Sequence, residues 1–169
     1  SSGITDDGTV TVGGNFSATT DANAGVINMG TMAVDGSFTL APNGSGAVTI
    51  VNDAGLTLAA STMGGTFSGT ATTGNITDTG ALAITGTTTL VTSADGGTIA
   101  LDVATNAFTG AMTITTNDSS GNDSDVTIDG GTTALIIAAS TIDGDLTLTS
   151  GNSSGITDDG TVTVGGNFS

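Results

Sequence analysis

The sequence predicts an all-β fold, a right-handed parallel β-helix (β-solenoid) with three short strands per coil and about six coils in each 152-residue repeat. Three observations predict it. SSGITDDGTVTVGGNFS stands at residues 1–17 and again, letter for letter, at 153–169. The chain therefore holds one full tandem repeat (1–152) and the start of an identical next one (153–169). Glycine corners recur at Gly13-Gly14, Asp35-Gly36, Gly64-Gly65, Thr85-Gly86, Thr109-Gly110, Asp143-Gly144 and Gly165-Gly166. Their second glycines lie 22, 29, 21, 24, 34 and 22 residues apart, the length of one solenoid coil. Between corners, apolar residues alternate with Thr or Ala, the two-residue period of a half-buried strand.

Taken in order, three sets of strands are expected. Before each corner come Val10–Val12, Met32–Val34, Leu56–Leu58, Leu82–Ile84, Phe108 and Leu135–Ile137. After it come Phe16, Phe38 with Leu40, Phe67, Leu90, Met112 with Ile114, and Leu146 with Leu148. A third set follows a polar loop: Ile4, Val26, Val48 with Ile50, Ile76, Ile99 with Leu101, Val126 with Ile128, and Ile156. Stacked coils then place parallel strands about 4.8 Å apart, and the general preference for right-handed crossovers gives the hand. LTLAAST at 56–62 resembles LIIAAST at 135–141, and ITDTG at 76–80 resembles ITDDG at 4–8. The long repeat thus divides into two three-coil blocks, about 4–75 and 76–155, in one continuous solenoid.

Composition narrows function by exclusion. The chain has no Lys, Arg or His and carries a net charge of −16, all of it from Asp. Such a polyanion cannot neutralise phosphates, so nucleic acid is excluded as a partner, and anionic lipid surfaces are opposed on the same ground. No apolar run approaches the roughly 18 residues of a membrane helix, so this segment is not expected to insert in a membrane. Without Cys there is no disulfide framework or thiolate metal site. Without His, Lys, Cys, Glu or Tyr there is little to act as base or nucleophile near neutral pH, and no enzyme is expected.

The xVTVxGxF and xLTLxAxST runs with Gly, Asn and Asp corners resemble the β-helical stalks of bacterial filamentous-haemagglutinin-type and autotransporter-type surface proteins. The likeness covers the whole chain in pattern and composition, without a diagnostic motif. It implies an extracellular rod or adhesin. The near-perfect long repeat departs from the usual irregular stalk and points toward fibre or lattice proteins; acidic, cysteine-free S-layer proteins are similar in composition.

Candidate sites are acidic. One Asx position per coil follows the third strand: Asp6, Asn28, Asn52-Asp53, Asp78, Asp102, Asp129 and Asp158. The simple reading is Asx turns bonded to corner backbone. The sharper one is a column of carboxylates sharing Ca²⁺, which takes oxygen ligands, with Asp6, Asp78, Asp129 and Asp158 as its ligands. A second cluster is the loop 117–125, where Asp118, Asp123 and Asp125 surround Gly121; it lacks the closing Glu of an EF-hand. Calcium is the one cofactor these positions suggest. Asn-x-Ser/Thr sequons stand at Asn15, Asn43, Asn75, Asn117, Asn122 and Asn152, and again at Asn167. Outward Thr11, Thr57, Thr113, Thr127, Thr147 and Thr163 form a β-branched face; an ice-binding array is the specific reading, ordinary strand propensity the plain one.

The expected function is structural: a segment of an extracellular fibre, sheath or surface layer, with copies of itself as partners, end to end and laterally. The alternative is an adhesin stalk, β-helical or Ig-like, that binds carbohydrate or cells, with the loop 117–125 as its contact. Expected localisation is extracellular or at the cell surface.

Overall fold

In a computed structural model, which describes residues 3–117, 119 and 121–169, the chain is a parallel β-solenoid with three sheets, and no helix occurs among the described residues. The first sheet runs along the whole stack. It contains β1 (Ile4–Thr5), β4 (Ile27–Val34), β6 (Val48–Asn52), β9 (Phe67–Ala71), β12 (Thr88–Thr92), β15 (Met112–Thr115), β17 (Leu135–Ile142) and β19 (Ile156–Val164), with β2 (Val10–Val12) against the second half of β4. The second sheet comprises β3 (Phe16–Thr19), β5 (Ser37–Ala41), β7 (Leu56–Leu58), β10 (Ile76–Asp78), β13 (Ile99–Leu101), β16 (Val126–Asp129) and β18 (Leu146–Thr149). The third is short: β8 (Ser61–Met63), β11 (Leu82–Ile84) and β14 (Ala107–Phe108).

The period-2 pattern decides which side chains go inward. In β6, Val48, Ile50 and Asn52 are buried while Thr49 and Val51 are half-buried, and β7, β9, β12 and β16 alternate likewise. The interior is one continuous column in which Phe38, Phe67, Phe108, Leu40, Ile50 and Leu56 are fully enclosed. Burying each such side chain contributes roughly 1.5–3 kcal/mol. Gly69 lies inward in β9, and a side chain there would strike the Phe67 ring and Leu56, 2.8 Å from both. Glycine here makes room for the largest core residue of its own strand.

The coils are tighter than the glycine spacing predicts. Eight strands follow one another along the first sheet from β1 to β19, so seven coils separate Ile4 from its copy Ile156. The six-coil expectation treats all the glycine corners as one column, and the stacking shows that they are not. Gly36 rests on Gly14, Gly86 on Gly65, Gly110 on Gly86 and Gly166 on Gly144. Gly65, however, rests on Ser45 and Gly46, and Gly144 on Ser124 and Asp125. The glycines mark different corners of the coil, so the 29- and 34-residue intervals each contain more than one turn.

The same offset redistributes the three expected strand sets. Leu56–Leu58 pairs with Ser37–Phe38 and with Ile76–Asp78 in the second sheet, while Leu82–Ile84 stacks on Ser61–Met63 in the third. Among the described residues, only the coils containing β8, β11 and β14 have a strand in all three sheets. Elsewhere β4, β17 and β19 pass through a corner without breaking. In β4 the inward residues change phase between Met29 and Met32, leaving Gly30 and Thr31 both outward, and the register with β6 shifts there. In β17 and β19 the shift falls between Ala138 and Ser140. A bulge bends a strand and interrupts its ladder only locally, so these coils replace one corner by a bulge.

Candidate functional site

Polar side chains at the corners and bulges hold one coil to the next. The Asp6 carboxylate accepts hydrogen bonds from Gly30 N–H (3.0 Å), Thr31 N–H (2.7 Å) and the Thr31 hydroxyl (2.7 Å), clamping the bulge of the following coil. The Gly30 amide, then the Thr31 hydroxyl, lowers the pKa of this exposed carboxyl. Asn52, fully buried, acts as a substitute peptide unit: Val34 N–H donates to its Oδ1 at 2.9 Å, and its Nδ2 donates to the carbonyls of Val34 (3.0 Å) and Gly55 (2.7 Å). Ser61 and Ser140 do matching work in the two related runs. Each hydroxyl accepts an amide from the coil before it, Leu40 or Ile114, at 2.9 Å, and donates to the carbonyl two residues back. Runs alike in sequence thus make like bonds, although Ser61 lies in the third sheet and Ser140 in the first.

Asp78 is the one buried carboxylate among the described residues. Its Oδ2 accepts from Asn106 Nδ2 at 2.6 Å, its Oδ1 from Asp102 N–H at 3.2 Å, and Asn106 Oδ1 in turn accepts from Leu82 N–H at 2.8 Å. Burial pushes its pKa up, against the opposing pull of the Asn106 amide. The alternating pattern marks strand positions, yet Asn52, Ser61, Asp78, Asn106 and Ser140 are buried. Their signal is local: each follows or precedes a break in apolar alternation.

The expected acidic column does not run as one line, although Asp78 and Asp102, one coil apart, do come together. In register, Asn28 lies beside Thr5 and Thr49, Asn52 beside Met32 and Ala71, Asp78 beside Leu58, Asp129 beside Thr149 and Asp158 beside Ile137. The coils differ in length, so residues equally placed after a strand fall at different points around the rod. Among the described residues no three acidic side chains come together in a group able to hold a metal ion. Asp129 makes the simple Asx turn, accepting from Gly131 N–H at 2.8 Å. In the loop 117–125, Asp118 lies outside the described residues; Asp123 is exposed, and Asp125 accepts from Asp145 N–H at 2.8 Å.

The sequon asparagines also bridge coils. Asn15 and Asn75 accept backbone amides through Oδ1, from Ser37 and Thr98. Asn43, Asn117 and Asn152 donate Nδ2 to the carbonyls of Asp21, Ser93 and Thr132, so a sugar on that atom would have to share it. Asn122 is exposed, and its amide N–H donates to Asp95. The threonines divide between two sheets: Thr57, Thr77, Ala100, Thr127 and Thr147 form one row on the second, whereas Thr11, Thr113 and Thr163 lie on the first.

A family model described as repeats of unknown function (DUF5649) matches residues 45–115 and 123–169. The chain belongs to this repeat family. The DUF5649 matches begin 11 and 12 residues ahead of the related runs at Leu56 and Leu135, and together they take in β6 to β15 and β16 to β19. No curated protein and no solved structure matches the chain.

Proposed function

We propose that this chain is a structural segment of an extracellular fibre, sheath or surface layer, built from DUF5649 repeats that continue one solenoid from copy to copy. One observation carries the reading. The residues that begin the next copy form a further rung, with Ile156–Val164 in register on Leu135–Ile142. A repeat that recommences as a rung can lengthen a rod without a linker. The role is mechanical and needs no catalysis: backbone ladders running along the rod resist stretching, and the apolar column excludes water. The −16 charge keeps neighbouring rods apart at low salt, and divalent cations would bridge them laterally. The likeness to filamentous-haemagglutinin-type stalks supports an extracellular setting, and a chain without Lys or Arg offers no trypsin cleavage site.

Two measurements on the native source test this reading. Antibodies to the repeat should label intact cells as strongly as permeabilised ones. Electron microscopy should show rods that lengthen by about 34 Å per repeat at about 4.8 Å per coil. Labelling only after permeabilisation, or globular beads on a string, would sink it.

A further inference from the structure

Residues 3–17 and 155–169 are one sequence seen in two settings. The first copy is covered on its C-terminal side: Ile4 pairs with Ile27, Val10–Val12 with Met32–Val34, and Phe16 with Phe38. The second is covered on its N-terminal side, by β17 and the corner that follows it. Its fit there is close. A side chain at Gly160 would lie 2.6 Å from Ala139 N, and one at Gly166 would strike Gly144 and the Asp145 carboxylate. Asp145 accepts the Asn167 amide N–H at 2.6 Å and its side-chain Nδ2 at 3.1 Å. The equivalent Gly8 and Gly14 meet nothing within 4 Å, and neither has a positive φ. The first copy therefore carries glycines whose steric reason is met only in the second.

From this we infer that the face of residues 3–17 away from Ile27–Ala41 is a docking site for a second copy of this repeat, which presents its Leu135–Asp145 coil. Gly8 seats on the second copy's Ala139, and Asn15 on its Asp145. Because residues 3–17 equal 155–169, they can take the place of the second copy's own last coil on the same bonds. The contact is head-to-tail, so it propagates as an open filament. This joint deepens the rod reading and rests on it. Within one chain the last coil competes at high effective concentration, so exchange is expected where that coil is dislodged.

The test uses the 169-residue chain, which has no cysteine of its own. Gly160→Val should lift the last coil from Ala139 while leaving Gly8 intact. Thr141 pairs with Thr163 in the chain, so the exchanged joint puts Thr141 beside Thr11 of the second copy. Adjacent parallel strands bring such positions within disulfide reach. Two Gly160→Val chains, one carrying Thr11→Cys and the other Thr141→Cys, are mixed and oxidised. Cross-linked heterodimers should exceed those of a Thr39→Cys control several-fold, and Gly8→Val in the first chain should abolish the excess. A Thr141→Cys/Thr163→Cys chain without the valine should close internally. Cross-linking no better than the control would overturn the inference, and so would a last coil left seated by Gly160→Val, since the approach to Ala139 is its basis. Rods that lengthen per repeat yet show no exchange would remove this joint and leave the rod reading standing.

Discussion

Asn52 and Thr88 face the same interior with opposite consequences. Asn52 satisfies an amide and two carbonyls where β4 and β6 fall out of register. Asn52→Ala leaves those buried groups without partners and should cost about 3 kcal/mol in urea denaturation. The buried Thr88 hydroxyl has no partner among the described residues. Thr88→Val keeps the shape, removes the orphan and should stabilise by about 1 kcal/mol. Acid response also belongs to single residues. Asp78 has a folded pKa raised by burial, so its contribution is present below the ordinary value of 3.8 and is lost as pH rises through the raised value. Asp6 and Asp145, lowered by the amides of Gly30 and Asn167, contribute above 3.8 and lose that contribution as pH falls through their lowered values. The thermal midpoint should therefore rise from pH 7 to a maximum near about pH 4 and fall below it. Asp78→Asn should flatten the upper limb; a midpoint that falls steadily from pH 7 would contradict the assignment.

Elements were legible in the sequence as far as side-chain alternation carries them. Val48–Asn52, Leu56–Leu58, Phe67–Ala71 and Val126–Asp129 are strands because inward and outward residues alternate there, and the glycine corners separate them. What alternation cannot convey is which strand stacks on which. The corner glycine looks the same whichever corner it occupies, so a coil that turns by a bulge, as at Gly30-Thr31, is invisible to a count of these corners. The acidic column was lost for the same reason, since a constant offset from a strand is not a constant place on a coil of varying length. Register can be tested directly. A Thr62→Cys/Ala83→Cys pair lies in register between β8 and β11 and should close a disulfide on oxidation. Thr57→Cys/Ala83→Cys, the pair expected from the glycine corners, should not.

At the scale of the molecule, the repeat does not stack on itself in line. Following the first sheet from Ile4, the partners run Ile27, Val48, Phe67, Thr88, Met112, Ile137 and Asp158, two residues beyond the copy Ile156. An even offset keeps inward side chains inward, so the core continues while equivalent surface positions shift along the strand by about 6.6 Å per repeat. Successive repeats would then be related by a screw, and their outward threonines and sequons would wind around the rod.

The winding rests on seven coils per repeat, and X-ray fibre diffraction of aligned multi-repeat rods measures that most directly. A meridional reflection at about 4.8 Å, with an axial repeat near about 34 Å, is the predicted result. An axial repeat near about 29 Å would mean six coils, and a 4.8 Å reflection on the equator would mean strands lying along the rod, which contradicts a solenoid outright.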